Sequence, residues 1–337
     1  MKIGVLYEQR EDTEEYPGEN QDIDAGRKRP KLDREQIFTA IEKAGHEPSY
    51  IQLDGRDASL FAVARNDADL VFNLVDSYGG DDGKDLHIPA FLDLIGVKYT
   101  GSGPHGLLLA QDKALAKKII GFHGIHTPFS MVVHRGRLDY ADDITFPLIV
   151  KPSSEDGSIG ITQKSVVGSV KELMERIHDL HDQFADSPVL IEEYIEGREI
   201  YAGILGNDPA EALPLVELDL SKLPDDAPRI AGREVKFDKD SEAYRVTKSA
   251  IVENLDEETT KALQDAAKTA YRALKLRDYG RIDMRLREDG KIYVIEANPN
   301  PWLTKTAEFA MAARGSDRTY TETIKAIIEA AVARYAA

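Results

Sequence analysis

Three polar residues near the C-terminus, Asp283, Glu296 and Asn298, could act on one ligand. The stretch GRIDMRLREDGKIYVIEANPNPWL (280–303) reads as a β-hairpin that brings them together. Asp289-Gly290 is a strong two-residue hairpin signal, since a type I′ turn needs positive φ at both central positions. That turn pairs Glu288 with Lys291, and counting outward sets Asp283 opposite Glu296 and Arg281 opposite Asn298. Side chains alternate along a strand, so Ile282, Met284 and Leu286 share the other face with Tyr293, Ile295 and Ala297. Like charges directly opposed across two strands are destabilising, so the polar face asks for a cation. Two carboxylates and an amide carbonyl are hard oxygen ligands suited to Mg²⁺, which usually completes its shell with substrate phosphates. The competing reading is a solvated acidic face with the register off by one.

Phosphate has a candidate cradle in IVKPSSEDGSIG (149–160). Gly157 and Gly160 bracket Ser158, allowing the backbone to approach an anion, and Lys151 at the strand end brings positive charge. It is not a Walker loop, because the lysine precedes the glycines; a plain hairpin loop is the alternative. In VLIEEYIEGREI (189–200), Glu192 and Glu199 flank an apolar strand and could take the exocyclic amine and ribose hydroxyls of a nucleotide. Solvated charges at a strand edge would look the same.

The elements that must position these residues divide the chain in three. KIGVLY reads as a buried parallel strand, 34–44 as an amphipathic helix ending at Gly45, 69–75 as a strand, and 86–95 as another helix. This alternation predicts a small open α/β domain with a parallel sheet over 1–110. Residues 111–193 add a helix (111–124), a strand–loop–strand unit, a helix near 169–185 and the strand 188–195. The remainder, 194–337, contains the strand 198–206, a charged, proline-containing surface loop over 219–250, a helix over 256–275, the hairpin and a final helix over 317–335.

At 337 residues, core size is no constraint. The absence of cysteine excludes disulfides, thiolate metal ligands and cysteine nucleophiles. With 43 Lys plus Arg against 60 Asp plus Glu, the net charge of −17 disfavours nucleic-acid and anionic-membrane binding. The first apolar run is too short for a signal peptide and none reaches membrane-spanning length, so a cytoplasmic protein is expected.

Taken in order, GGDDG, YTGSG, QDK, IVKPSSEDGSIG, VLIEEYIEGRE, GRIDMRL and IEAN resemble the ATP-grasp superfamily, and within it the D-alanine:D-alanine ligases. The resemblance runs from about 69 to 312. It implies an ATP-grasp fold of α/β (α+β) modules behind an N-terminal parallel-sheet domain, with ATP held between two antiparallel sheets. It implies two Mg²⁺, for which Mn²⁺ can substitute, on Asp283, Glu296 and Asn298. Lys113 and Lys151 look like the lysines on the ATP phosphates, Ser158 like part of the loop closing over them, and Lys236 like a mobile-loop lysine reaching the γ-phosphate. Glu192, Glu193 and Ile195 would lie by the adenine and Glu199 by the ribose, while Arg281 matches the arginine beside the reacting carboxylate. The chemistry implied is formation of an acyl phosphate from a carboxylate and ATP, then displacement of phosphate by an amine. Small amino acids or peptides would be the substrates, and a homodimer is a possible assembly.

Departures gather at the amino-acid end. The family's glycine-rich loop after the first strand is replaced by LYEQREDTEEYPG, with Glu8, Glu11 and Glu14, and its His-Gly by Asp76-Ser77. Glu193 stands where lysine is common. Past the metal ligands, Asn300 and Trp302 occupy the segment where the family has a glycine admitting the acceptor carboxylate; Trp302 is either a core anchor or a substrate contact. These changes predict a different amino-acid or peptide substrate, favouring an amine or basic group. The rivals are a D-alanine:D-alanine ligase with a remodelled site and a non-catalytic ATP-binding module. A nicotinamide-dependent dehydrogenase is disfavoured by the lack of G-x-G-x-x-G after the first strand.

Overall fold

The computed structural model describes residues 1–9, 32–134, 137–138, 145–153, 158–184, 187–225, 227–236, 238 and 240–336. Gly157, Glu11 and Glu14 therefore lie outside the described residues. The first module is a three-stranded parallel sheet in the order β2-β1-β3, from β1 (Lys2–Glu8), β2 (Glu47–Leu53) and β3 (Leu70–Asn73). Four helices accompany it: α1 (Asp33–Lys43), α2 (Asp57–Ala64), α3 (His87–Leu94) and α4 (Pro104–Gln111). The predicted 111–124 helix starts later, because the Asp112 side chain accepts from the Leu115 N–H and caps a new helix, α5 (Lys113–Phe122).

Next comes a five-stranded antiparallel sheet, β5-β4-β8-β6-β7, from β4 (Ser130–His134), β5 (Arg137–Leu138), β6 (Leu148–Pro152), β7 (Val166–Val167) and β8 (Val189–Glu193). Helix α6 (Val170–Gln183) covers one face, where Leu148, Val150, Leu173, Leu180 and Ile191 form a core. The opposite face carries Lys151 and Glu192.

The third sheet runs β12-β11-β9-β13-β14, with β10 beside β9. Its strands are β9 (Arg198–Leu205), β10 (Glu211–Ala212), β11 (Val216–Asp219), β12 (Lys248–Ile251), β13 (Tyr279–Leu286) and β14 (Ile292–Asn298). Between β11 and β12, residues 220–247 are not the surface loop expected. Leu220, Leu223, Ile230 and Val235 are buried there, and two short helices form, α7 (Arg233–Lys236) and α8 (Glu242–Val246). Behind β13 and β14 lie α9 (Glu257–Ala273) and α5, whose Ala116 and Ile120 share a core with Leu263, Tyr271, Ile282 and Val294. Two further helices end the chain, α10 (Glu308–Gly315), which sequence reasoning missed, and α11 (Tyr320–Ala336), which packs with α1 in a core containing Ile37, Ile41, Ile324 and Ile327.

Asp278, fully buried, is the junction between modules. Its carboxylate accepts from Gly101 N, Asn207 Nδ2 and the Arg334 guanidinium at 2.9–3.0 Å. One side chain thus ties the N-terminal module to β13 and α11. Among the described residues, no helix is long and apolar enough to cross a membrane.

Candidate active site

The hairpin turn differs from expectation while the pairing it was meant to deliver stands. Gly290 N donates to Arg287 O and Arg287 N to Lys291 O, which closes a three-residue loop, Glu288–Gly290. Only Gly290, at φ 80°, is left-handed there, as in a type I turn followed by a glycine. The register near the turn is therefore Met284↔Val294 and Leu286↔Ile292, one residue from the predicted count. A β-bulge between Asp283 and Met284 then returns the register to Asp283↔Glu296 and Arg281↔Asn298. The bulge also revises the faces. Ile292, Val294 and Ala297 join the core beneath β13, in place of the predicted Tyr293, Ile295 and Ala297. Bulges commonly re-aim side chains beside functional sites, and the carbonyl of Ile295, the extra residue, accepts from Lys117 Nζ at 2.8 Å.

The polar face of the third sheet follows from strand alternation. On β13 it carries Arg281, Asp283 and Arg285, opposite Gly203, Tyr201 and Glu199 on β9. Arg281 forks onto Asp283, with Nε to Oδ1 at 2.7 Å and Nη2 to Oδ2 at 2.9 Å, reaches Glu308 at 3.4 Å, and lies 4.8 Å over the Tyr201 ring. Burial pushes the Asp283 carboxyl up despite this guanidinium. Lys113 at the start of α5 lies 3.1 Å from Glu296. Burial opposes ionisation of Glu296, but Lys113, Lys151 and Lys236 outweigh it and bring its pKa down to about 2. The sequence-predicted lysines therefore do converge on the predicted acidic pair, and Lys236 on α7 acts on both carboxylates.

On the facing sheet, Glu192 is 1% exposed and held at 2.6 Å by both Lys117 and Lys151. Burial alone would raise its pKa; the two ammonium groups reverse the sign and lower it. Glu192 thus anchors two lysines. Lys117 was missed altogether, although its spacing from Lys113 puts both on one helix face. Glu193 accepts from Phe129 N at 3.5 Å, and Ile195 is buried. Glu199 pairs with Arg285 at 2.5 Å.

Two loops meet over this region. Ser158, at φ 63°, donates its hydroxyl to Ala231 O at 2.9 Å, and Arg233 N donates to Ile161 O at 3.0 Å. Gly160, at φ 71°, leaves no room for a Cβ against Pro152 and Phe184. The phosphate-loop candidate is thereby fastened to the segment carrying Lys236.

The residues expected at the amino-acid end lie around β1 and the start of α1. Trp302 is 48% exposed, so it is not a core anchor; its indole donates to Asp33 at the start of α1. Burial raises the Asp33 pKa, and the charge of Asp76 adds to the effect. Glu8 accepts from Ser77 Oγ and Gly79 N, and Ser77 also reaches Asp76 at 3.4 Å. Asn300 Oδ1 accepts from Ser102 N at 3.0 Å, binding the Pro-rich loop to the first module. Asp33 was invisible to motif reading because it belongs to an ordinary helix start.

The donor set suits a hard cation on chemical grounds. Among the described residues no three His, Cys, Asp or Glu side chains cluster as a metal-binding group, so Asp283 and Glu296 would need the Asn298 amide and ligand oxygens to complete a shell. The Asn298 Nδ2 is buried without a partner, and each carboxylate is already met by a positive side chain.

Two antiparallel sheets with acids and lysines on their facing surfaces, behind a parallel-sheet module, define the ATP-grasp fold and the class of ADP-forming carboxylate–amine ligases. The chain belongs to the D-alanine–D-alanine ligase family: residues 132–329 match the D-ala D-ala ligase C-terminus family. It is 33% identical to the D-alanine–D-alanine ligase of Desulfotalea psychrophila, covering 77% of each chain. It is 31% identical to uncharacterized protein y4sG of Sinorhizobium fredii, covering 89% of this chain and 88% of that one. The fold is similar to the crystal structure of D-alanine–D-alanine ligase from Bacillus anthracis complexed with ATP, with a TM-score of 0.71, 23% identity, and coverage of 98% and 97%.

Proposed function

We propose that this protein is an ATP-dependent ligase that joins an amino acid or peptide carboxylate to an amine, with substrates other than a pair of D-alanines. In this reading a carboxylate oxygen attacks the γ-phosphorus of ATP and ADP leaves. The amine nitrogen then attacks the acyl carbon, inorganic phosphate leaves, and an amide remains. Lys113, Lys151 and Lys236 offset charge on the phosphoryl oxygens, and Ser158 sits in the loop covering them. Asp283, Glu296 and Asn298 would hold Mg²⁺, which when bound adds further positive charge at those oxygens. Arg281 is released from Asp283 to steady the oxyanion of the tetrahedral intermediate. Glu193 and Ile195 line the base, and Glu199 takes the ribose hydroxyls. Positioning is the protein's main contribution, which suits a chain without a cysteine nucleophile.

The observation that carries the substrate reading is Trp302. In this reading the half-exposed indole, tied to Asp33, closes the mouth of the amino-acid site, with Asp76 and Glu8 beside Ser77. That wall favours a substrate with an amine or a basic group. The relatives named D-alanine–D-alanine ligases favour the second reading, a cell-wall dipeptide ligase with a remodelled site. Phosphate release with ATP, Mg²⁺ and pairs of amino acids or short peptides, followed by mass analysis of the products, separates them. A basic or larger partner should outperform D-alanine. If D-alanine alone is the best substrate, the second reading replaces the first; if no pair stimulates phosphate release, a non-catalytic ATP-binding module remains.

A further inference from the structure

A buried cation on β13 has no part in the chemistry proposed above. Arg285 is 5% exposed, on the same polar face as Arg281 and Asp283, two residues further from the acidic pair. Its guanidinium serves three acceptors on three segments. Nη1 donates to Gly197 O at 2.9 Å, Nη2 to Arg229 O at 2.6 Å, and Nη2 lies 2.5 Å from Glu199 Oε2. Gly197 lies in the short connection between β8 and β9, where the chain passes from one sheet to the other. It has φ 145°, and a Cβ there would meet Leu286 O at 2.3 Å. Arg229 belongs to the segment that carries Ala231 and Lys236 over the site. Its peptide is gripped at both ends, because its N–H donates to Tyr194 Oη at 2.8 Å while its carbonyl accepts from Arg285.

An arginine with a rigid fork of donors suits this task, since a lysine ammonium offers no fixed geometry across separate acceptors. A buried guanidinium is costly to desolvate unless its donors are matched, and here the matches are a connection, an acid and a covering loop. We propose that Arg285 is a positioning residue of the nucleotide pocket, which aims Glu199 at the ribose and latches the 220–236 segment over it. The inference rests on the reading of Glu199 as the ribose acid. Arg285 bonds Gly197, Arg229 and Glu199 and not the acidic pair, so its loss acts on nucleotide binding and on the loop, ahead of chemistry.

The test compares binding of ATP and 2′-deoxy-ATP to wild-type protein, Arg285→Met, Arg285→Lys and Glu199→Gln by calorimetry, together with limited proteolysis within 220–236. Charge-assisted hydrogen bonds to the ribose should make wild type prefer ATP by about 10- to 100-fold. Glu199→Gln should lose most of that preference with the loop still protected. Arg285→Met should lose it and also be cleaved faster. Arg285→Lys should retain part of the preference, through its charge beside Glu199, yet be cleaved as readily as the Met variant, with an unfolding midpoint near wild type. A wild-type ATP preference and cleavage rate in both Arg285 variants overturns the inference alone. Failure of wild-type protein to bind ATP overturns the functional reading and this inference with it.

Discussion

The two ends of the site treat negative charge differently. At the proposed nucleotide end, Asp283, Glu296, Glu192 and Glu199 each meet a guanidinium or ammonium within 3.1 Å. At the proposed amino-acid end, Glu8 and Asp33 accept from backbone N–H groups, a serine hydroxyl and an indole. The first arrangement is a charge lattice with alternating signs, in which adding a polyanion and removing a counter-ion are balanced events. The second is met largely by neutral donors, with the charge of Arg34 acting on Asp33 beside them. A shared nucleotide and a divergent amino acid are what this contrast leads one to expect.

Breaking the nucleotide end should have the largest effect. Glu296→Gln removes a carboxylate on which three lysines act, and turnover measured as phosphate release should fall by about 10²–10³-fold or more. The fold should persist, since Gln keeps the volume. Unchanged turnover would mean that the Asp283–Glu296 face is not the metal and phosphate site.

A stability effect comes next. Lys117→Met leaves Glu192 with one ammonium and the Ile295 carbonyl without its donor. Stripping a partner from a buried ion pair costs about 3 kcal/mol, readable in urea unfolding. The pH dependence has a definite sign. Because the Glu192 pKa is lowered by its lysines, its contribution is fully present above the ordinary carboxylate range and is lost as pH falls through the depressed value. Lys117→Met should move that acid-side loss to higher pH. An unfolding curve that shifts equally at every pH would contradict the assignment of the two lysines to Glu192.

At the amino-acid end the expected change is in selectivity. Trp302→Gly removes the indole that Asp33 holds and, on the proposed reading, opens the site mouth. The relative kcat/KM for small against large substrates should move by about 10- to 200-fold, the range for reshaping an apolar pocket, while KM for ATP stays within a factor of two or so. An equal change in both constants would place Trp302 in the shared frame of the enzyme and not in the substrate wall.

How much of this was legible without coordinates depends on how local the cause was. The pairing of Asp283 with Glu296 was read from alternation and a Gly turn, although the turn has three residues and a bulge restores the count; two departures of one residue cancel at the site. The core face was misassigned for the same reason, since the bulge moves Val294 inward. Lys113, Lys151 and Glu192 stand in ordered motifs, which is why sequence reading could single them out. Lys117, Arg285, Asp278 and Asp33 were not singled out, because their partners lie far off in the sequence and nothing in their neighbours' identities announces them. The segment 220–247 looked like a solvated loop because its charged residues outnumber the few apolar ones that anchor it, Leu220, Leu223, Ile230 and Val235.

The smallest predicted effect probes the proposed amino-acid end directly. Asp33→Asn keeps the acceptor for the Trp302 indole and deletes one charge from a partly solvated acidic wall, where a single ion pair contributes little. With an amine-bearing substrate, KM should rise by about five-fold or less, and kcat should not change. Since burial raises the Asp33 pKa, wild-type affinity for such a substrate should weaken as pH drops towards that raised value, and the Asn variant should lack this limb. Measured side by side with Glu296→Gln, the pair tests the contrast itself. A carboxylate locked among lysines should abolish chemistry when neutralised, and one facing the substrate mouth should only retune binding. If Asp33→Asn were as damaging as Glu296→Gln, the amino-acid end would have to be regarded as part of the charge lattice, and the substrate would lose its most direct signature in this fold.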